Sequence, residues 1–87
     1  MSIVTARTGP EDADLVRAFA GGSEQAFKEL VCRYEAPLYR FVWRQVRNQT
    51  EAADLCQEIF IKVFLKAKTF RGESSFRTWL YQIAINQ

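Results

Sequence analysis

The sequence has no histidine among its 87 residues, and it has only two cysteines. A common zinc ligand is therefore missing, and Cys32 and Cys56 are not at metal-ligand spacing. No glycine-rich phosphate loop follows a strand pattern, and no nucleophile stands beside a base that would activate it. We therefore expect no catalytic residue, no metal and no cofactor, and we expect the protein not to be an enzyme.

Long hydrophobic runs are also absent. No stretch approaches the roughly 18 apolar residues of a membrane-spanning helix, and residues 1–10 contain no apolar signal-peptide core. These absences predict a cytoplasmic protein without membrane insertion.

Apolar residues are nevertheless plentiful, since hydrophobic types make up 48% of the sequence and aromatic types 14%. A chain of this length forms one domain and must use its apolar positions efficiently. The charge is uneven: residues 1–32 carry three basic against five acidic residues, a net −2, whereas residues 59–87 carry five against one, a net +4. This asymmetry favours two different partners, with a solvated helical surface as the simpler alternative.

The apolar periodicity is helical throughout and predicts an all-α bundle of four helices. The first helix should run over residues 11–20 and end at Gly21. Ser23 is predicted to cap the second helix. We expect one long second helix, kinked at Pro37 and closed by residues 48–49, because its apolar spacing continues through the proline. Its apolar positions are Phe27, Leu30, Val31, Tyr34, Leu38, Phe41 and Val42.

The third helix has the most regular amphipathic pattern. It should run over residues 51–68 with Thr50 as its cap. Its predicted core positions are Ala52, Leu55, Cys56, Ile59, Phe60, Val63, Phe64 and Ala67. After a short polar loop, a fourth helix should start near Ser75, and because no stop signal follows, we expect it to be truncated at the C-terminus. Its inward positions are Phe76, Trp79, Leu80 and Ile83.

A second stripe follows the opposite side of the third helix. It is polar at its start and apolar at its end, and consists of Asp54, Gln57, Glu58, Ile61 and Leu65. A mixed face of this kind suits the docking of another helix, because a purely solvated face would not need Ile61 and Leu65. The alternative is that these two residues pack beneath the N-terminal helix, and the pattern favours neither.

Basic and aromatic residues are interleaved around the loop and the fourth helix. They are Lys62, Lys66, Lys68, Arg71 and Arg77 with Phe70, Phe76, Trp79 and Tyr81. This mixture suits single-stranded nucleic acid, because cations follow phosphates and rings stack on unpaired bases. Phe76 and Trp79 also fit the core, so the exposed candidates are the loop, Arg77, Tyr81 and Asn86. The simpler alternative is a connecting loop with Ser74 or Ser75 as a helix cap.

These motifs resemble those of a known family. Residues 53–64, ADLCQEIFIKVF, are similar to the DLxQExFxKxx signature of the second conserved region of sigma factors. Residues 70–86, FRGESSFRTWLYQIAIN, resemble the FRG-S-F-TWLYxIAxN signature of the bacterial extracytoplasmic-function (group IV) sigma factors. Residues 22–27, GSEQAF, resemble that group's GD-x-x-AF motif. The resemblance covers nearly all of residues 14–86, in the family's order and spacing.

The resemblance implies a transcription initiation factor domain that docks on RNA polymerase core and recognises and melts the minus-ten element of promoter DNA. Docking on the clamp helices of the largest subunit would involve Asp54, Gln57, Glu58, Ile61 and Leu65. Contacts to promoter DNA, mainly to the non-template single strand, would involve Lys68, Phe70, Arg71, Gly72, Ser74, Ser75, Arg77, Tyr81 and Asn86. An anti-sigma factor is expected as a further partner.

The resemblance also implies a division of the chain: residues 1–10 would be a flexible N-terminus, and residues 11–87 would be a region-two domain that is incomplete at its C-terminal end. The family's fourth helix continues into a basic stretch, and we expect neither this stretch nor the family's separate promoter-reading C-terminal domain within these 87 residues. Two other functions stay open. A duplex DNA-binding domain would need a short turn between two helices near a right angle, and a helical protein-interaction bundle would have no affinity for single-stranded DNA.

Overall fold

The structure is a computed structural model that describes residues 11–86. Its α-helices are α1 Asp12–Ala20, α2 Glu24–Val46, α3 Gln49–Lys66 and α4 Phe76–Ile85, and a 3-10 helix, Ala67–Thr69, follows α3. No strand occurs in this part of the chain, and the predicted all-α bundle of four helices is confirmed. None of these helices is long and apolar enough to cross a membrane. The predicted flexible N-terminus lies outside the described residues.

α2 is a single helix that continues through Pro37, as the unbroken apolar spacing predicts. Its buried side chains on either side of the proline are Leu30, Tyr34, Leu38 and Val42, one every four residues. Tertiary packing of such a stripe stabilises a helix more than local propensity does, so it offsets the backbone hydrogen bond that proline removes. The kink at Pro37 stays a prediction.

The turn between α2 and α3 differs from the prediction. Arg47, and not residues 48–49, ends α2: it has a φ of 52°, and its amide donates a hydrogen bond to the carbonyl four residues earlier at 2.8 Å. Asn48 then caps α3, because its side-chain oxygen accepts a hydrogen bond from the Glu51 amide at 2.9 Å. The prediction of Thr50 as the cap was wrong. Asparagine is the stronger N-cap residue, and Thr50 already lies inside the helix.

The other two predicted helix starts are confirmed. The Ser23 hydroxyl accepts a hydrogen bond from the Ala26 amide at 3.2 Å, and the Ser75 hydroxyl accepts one from the Thr78 amide at 3.1 Å. At its other end, α4 is followed by Asn86, whose amide donates to the carbonyl four residues earlier at 3.1 Å. The expected continuation to residue 87 lies outside the described residues.

One hydrophobic core joins the four helices. Its buried residues are Leu15, Val16, Phe19, Ala26, Leu30, Tyr34, Leu38, Val42, Ala52, Cys56, Ile59, Val63, Ala67, Phe76, Leu80 and Ile83. Six residues of the predicted apolar stripes are only half-buried: Phe27, Val31, Phe41, Leu55, Phe60 and Trp79. The prediction of a buried Phe64 was wrong, since its side chain is 49% exposed. Its ring lies at the edge of the bundle, against two phenylalanine rings with centroids 5.1 and 5.4 Å away.

A polar contact ties α1 to α2. The Asp12 carboxylate accepts hydrogen bonds from the Arg33 guanidinium, at 3.0 Å, and from the Tyr34 hydroxyl. The Arg33 and Asp12 side chains are only 12% and 16% exposed, so solvent screens this pair weakly. Hydrogen bonds to charged groups contribute about 1.5–3 kcal/mol each. Asp12 therefore joins α1 to α2, in addition to placing a negative charge in the first turn of α1.

Truncating the core should be far more costly than truncating the surface. Leu80→Ala should lower the free energy of unfolding by about 2–5 kcal/mol, because Leu80 is 0% exposed and a cavity would remain. Leu65→Ala, the same change at a side chain that is 71% exposed, should change it by at most about 0.5 kcal/mol. Urea denaturation followed by circular dichroism measures both. Equal losses in the two variants would contradict the packing described above.

The two cysteines should differ in reactivity. Cys32 is exposed, whereas Cys56 is 8% exposed, and burial raises the pKa of the Cys56 thiol with a further contribution from the Glu35 carboxylate. Since the thiolate is the reactive form, a raised pKa leaves less of it at any pH below the titration. In the folded protein at about pH 8, iodoacetamide should modify Cys32 much faster than Cys56, as peptide mapping by mass spectrometry would show. Similar rates at both thiols would refute the assigned burial of Cys56.

Candidate functional site

One face of α3 carries the five residues predicted to bind polymerase; we call it the outer α3 face. All of its members are exposed: Asp54, Gln57, Glu58, Ile61 and Leu65. Ile61 and Leu65 are 55% and 71% exposed, so the alternative that they pack beneath the N-terminal helix is wrong. α1 instead packs against α2, the 3-10 helix and α4. The role of this face in docking stays a prediction.

An apolar groove of about 500 Å³ borders the outer α3 face. It lies between α2 and α3, and Gln57 and Ile61 belong both to the groove and to the outer α3 face. Much of its lining is aromatic or aliphatic, from Phe27, Val31, Phe60 and Phe64. The groove was not predicted from the sequence, because these four residues belong to the apolar stripes that were assigned to the core. The sequence nevertheless indicated such a groove, since α2 and α3 both carry more apolar residues than a single buried stripe requires.

The loop between the 3-10 helix and α4 encloses a second concavity, of about 410 Å³, which we call the loop pocket. Its lining residues are Thr69, Phe70, Arg71, Glu73, Ser74, Trp79 and Gln82. Gly72 has a φ of 76°, a left-handed conformation that disfavours residues with a Cβ atom. The tight loop before α4 therefore depends on glycine at this position.

Aromatic packing forms one wall of the loop pocket. The Phe70 ring is half-buried, with its centroid 5.0 Å from that of Trp79 and 6.3 Å from that of Phe76. Phe76 is 3% exposed, so it anchors the other two rings to the core. Phe70 is therefore held by its neighbours and presents only part of its ring to a ligand.

The two loop serines already have structural partners. Besides capping α4, the Ser75 hydroxyl lies 3.1 Å from the Thr78 hydroxyl. The Ser74 hydroxyl donates to the Ser75 carbonyl at 3.3 Å. The helix cap that the simpler alternative assigned to Ser74 or Ser75 is provided by Ser75. A contact of either serine with DNA stays a prediction.

The structure separates Arg77 and Tyr81 from the loop pocket. Both lie on the other flank of α4, in a groove of about 540 Å³ that we call the α2–α4 groove. The Arg77 guanidinium lies over the Tyr81 ring, 5.7 Å from its centroid, and the Tyr81 ring meets Phe41 edge-on at 5.1 Å. Tyr81 is consequently half-buried, although the sequence pattern favoured an exposed side chain.

Two arginines of α2 also line the α2–α4 groove, and neither was predicted from the sequence as a site residue. Arg40 and Arg44 are exposed and share the groove with Arg77. The sequence did indicate that Arg40 and Arg44 share a face, since a spacing of four residues places both on one side of α2, away from the buried stripe. Their proximity to α4, however, depends on how the two helices pack.

The remaining two predicted DNA-binding residues line neither the loop pocket nor the α2–α4 groove. Lys68 is exposed beside the end of α1, in a cleft that it shares with Phe19 and Gly22. Asn86 is exposed at the end of α4, one turn beyond Gln82, which borders both concavities. Asn86 therefore lies on the side of α4 that carries Gln82, and a contact of Asn86 or Lys68 with DNA stays a prediction.

Charge distinguishes the surfaces. Among residues 11–86, no carboxylate forms an ion pair with Arg71 or Arg77, nor with the two groove arginines of α2. The outer α3 face, by contrast, includes two carboxylates, those of Asp54 and Glu58. Within the same range, no group of histidine, cysteine or acidic side chains could hold a metal ion. The chemistry available to these surfaces is recognition by charge, hydrogen bonding and ring stacking.

Comparisons with known proteins agree with this architecture. The sequence profile described as Sigma-70 region 2 matches residues 30–87. The chain is 42% identical over 79 residues to the RNA polymerase sigma-H factor of Pseudomonas aeruginosa, covering 91% of this chain and 41% of that protein. It is 41% identical over 75 residues to the ECF RNA polymerase sigma-E factor of Escherichia coli K12, covering 86% and 39%. The chain thus spans about two fifths of the length of the curated relatives it matches.

A solved structure extends the similarity to the fold. The NMR structure of an engineered region 2 of sigmaE in complex with GTAAAA superposes with a TM-score of 0.80 and 36% sequence identity. The match covers 99% of this chain and 84% of the other. With more than half of its length matched by the family profile, and with its relatives named as sigma-E and sigma-H factors, the chain belongs to the Sigma-70 region 2 family, in its extracytoplasmic-function branch.

Proposed function

We propose that this domain works in transcription initiation by docking on RNA polymerase core while it captures the opened minus-ten element of a promoter. The observation that supports this most is the presence, on one small bundle, of two different exposed surfaces: the outer α3 face and the loop pocket. The superposable sigmaE domain was solved in complex with GTAAAA. Both roles are binding roles, and neither requires a reactive group.

The outer α3 face suits a helical partner, and we assign it to the clamp helices of the polymerase largest subunit. Ile61 and Leu65 offer apolar area that gains free energy when water is removed, at about 25 cal/mol per Å². Asp54 and Gln57 add directional polar contacts that select the partner and its orientation. The adjoining apolar groove enlarges the area that the partner can cover.

The loop pocket suits one unpaired base. A base that leaves the duplex loses stacking and pairing worth a few kcal/mol, so a receiving site must supply comparable contacts. Stacking on an aromatic side chain contributes about 1–3 kcal/mol per base, and the Phe70–Trp79 wall offers such a surface. Arg71, Glu73 and the backbone around Gly72 supply donors and acceptors for the edge of the base.

The domain would act as part of a longer factor. Residues 11–87 correspond to its polymerase-docking and promoter-melting part, and a separate C-terminal domain would read the upstream promoter element. The protein would work in the cytoplasm, where polymerase and promoters are. An anti-sigma factor would inhibit it by covering the outer α3 face and the apolar groove, since both are the surfaces that docking needs.

Reversing one charge on the outer α3 face should weaken docking without unfolding the domain. Asp54→Lys should reduce affinity for a clamp-helix fragment of the polymerase largest subunit at least about tenfold, which corresponds to about 1.4 kcal/mol. Asp14→Lys is the matched control, an equal charge reversal on exposed α1 that costs only a surface ion pair with Arg17. Isothermal titration calorimetry gives both affinities. Unchanged affinity in Asp54→Lys would remove this face from the proposal.

Replacing the loop should abolish base capture. A variant with residues 71–74 exchanged for an unrelated loop, and with Phe70 and Ser75 kept so that α4 still forms, should lose its preference for GTAAAA over a permuted hexamer of equal composition. Lys68→Ala is the control and should keep the preference, because Lys68 lies outside the loop pocket. Fluorescence anisotropy with labelled oligonucleotides measures the preference. If the loop variant still discriminates, the loop pocket does not read the base.

A further inference from the structure

The α2–α4 groove is built by two helices that present one side to each other. Arg40 and Arg44 lie four residues apart on one face of α2, Phe41 lies three residues before Arg44, and Arg77 and Tyr81 lie four residues apart on α4. Arg40 and Arg44 are one turn apart, about 6 Å along the helix axis. The groove therefore has an extended row of guanidinium groups on one wall and a third guanidinium on the other.

No negative charge of the described chain balances this row. Among residues 11–86, the groove lining contains no aspartate or glutamate, and none of its three arginines forms an ion pair. Arg33, on the same helix, shows the contrast, because it is held by Asp12 and Glu29. Of these α2 arginines, Arg33 stabilises the fold, whereas Arg40 and Arg44 lie beside a third cation and pair with no carboxylate of residues 11–86. A polyanion is the complementary ligand.

The ring geometry indicates which part of a nucleic acid the groove receives. One face of the Tyr81 ring is covered by the Arg77 guanidinium, and the Phe41 ring meets Tyr81 edge-on. A base that stacked on the face of Tyr81 covered by Arg77 would have to displace this guanidinium. A phosphate needs no ring face, and Arg77, already positioned on the ring, can donate to it together with the α2 arginines.

The groove and the loop pocket lie on opposite flanks of α4, and Gln82 borders both. A strand with one base in the loop pocket has to cross only α4, a helix about 10 Å wide, to reach the groove. We propose that the α2–α4 groove is a second DNA site, which binds the phosphodiester backbone of the same single strand through Arg40, Arg44 and Arg77, independently of sequence. This inference rests on the proposed function, since it places the groove on the path of the captured strand.

The test is the salt dependence of single-strand binding by the 87-residue chain. The probe is a fluorescein-labelled, single-stranded 12-mer that contains GTAAAA flanked by thymidines. Each phosphate contact to a single strand contributes about 0.7 to the slope of log affinity against log salt concentration. The double variant Arg40→Gln with Arg44→Gln should therefore flatten the slope by about 1.4 and weaken binding severalfold at low salt. Its preference for GTAAAA over the permuted sequence should stay unchanged.

Two control variants make the result specific. Arg17→Gln with Lys28→Gln removes the same charge from α1 and the start of α2, away from the groove, and should keep the slope within about 0.3 of the parent. Arg40→Lys with Arg44→Lys keeps the charge and should restore most of the slope. Since Arg40 and Arg44 are exposed, all variants should unfold at the parent's urea midpoint.

The outcomes separate this inference from the proposed function. If the parent chain discriminates GTAAAA from the permuted sequence while the Arg40 and Arg44 glutamine variant keeps the parent's slope, the groove proposal fails and base capture stands. A variant that loses sequence preference along with the slope would also overturn the proposal, because the groove would then be reading bases. If the parent chain binds neither sequence, the proposed function fails and this inference fails with it.

Discussion

The burial of one stripe of α2 is the constraint on which the rest of the structure depends. Leu30, Tyr34, Leu38 and Val42 lie in the core, so α2 is held in contact with its neighbours along most of its length. A domain this small buries a limited fraction of its surface, and interrupting this helix at Pro37 would divide the core. The continuity of α2 therefore positions both the apolar groove beside α3 and the basic groove beside α4.

Because the buried stripes account for the stability of the bundle, the opposite helix faces are free to bind partners. α3 shows this directly: Ile59 and Val63 are 1% exposed, while Ile61 and Leu65 on the other side are more than half exposed. The loop before α4 is stabilised in a different way, by the Ser75 cap and the aromatic contacts to Phe76. A preformed loop loses less conformational entropy when it binds a ligand.

The distribution of charge allows two partners to be bound together. The carboxylates of the outer α3 face and the guanidinium groups of the α2–α4 groove occupy different surfaces, so a protein helix and a DNA strand need not compete. α4 links the two surfaces proposed to bind nucleic acid, since one flank borders the loop pocket and the other borders the groove. A base and the backbone of one strand can thus be held by a single rigid helix.

The sequence by itself determined the four helices and the continuity of α2, because burial imposes a period of 3.6 residues that can be recognised without coordinates. The structure was needed to show that Ile61 and Leu65 of α3 are exposed. Near helix ends the pattern failed, as at Thr50 and Asn48, since neighbouring residues can both act as caps and the backbone conformation decides between them. Only the tertiary structure decided how deeply Phe64 is buried and that Arg40 and Arg44 face Arg77 across a groove. Periodicity specifies which side of a helix points inward, whereas the packing of helices against each other specifies which side chains lie at an edge and which surfaces meet.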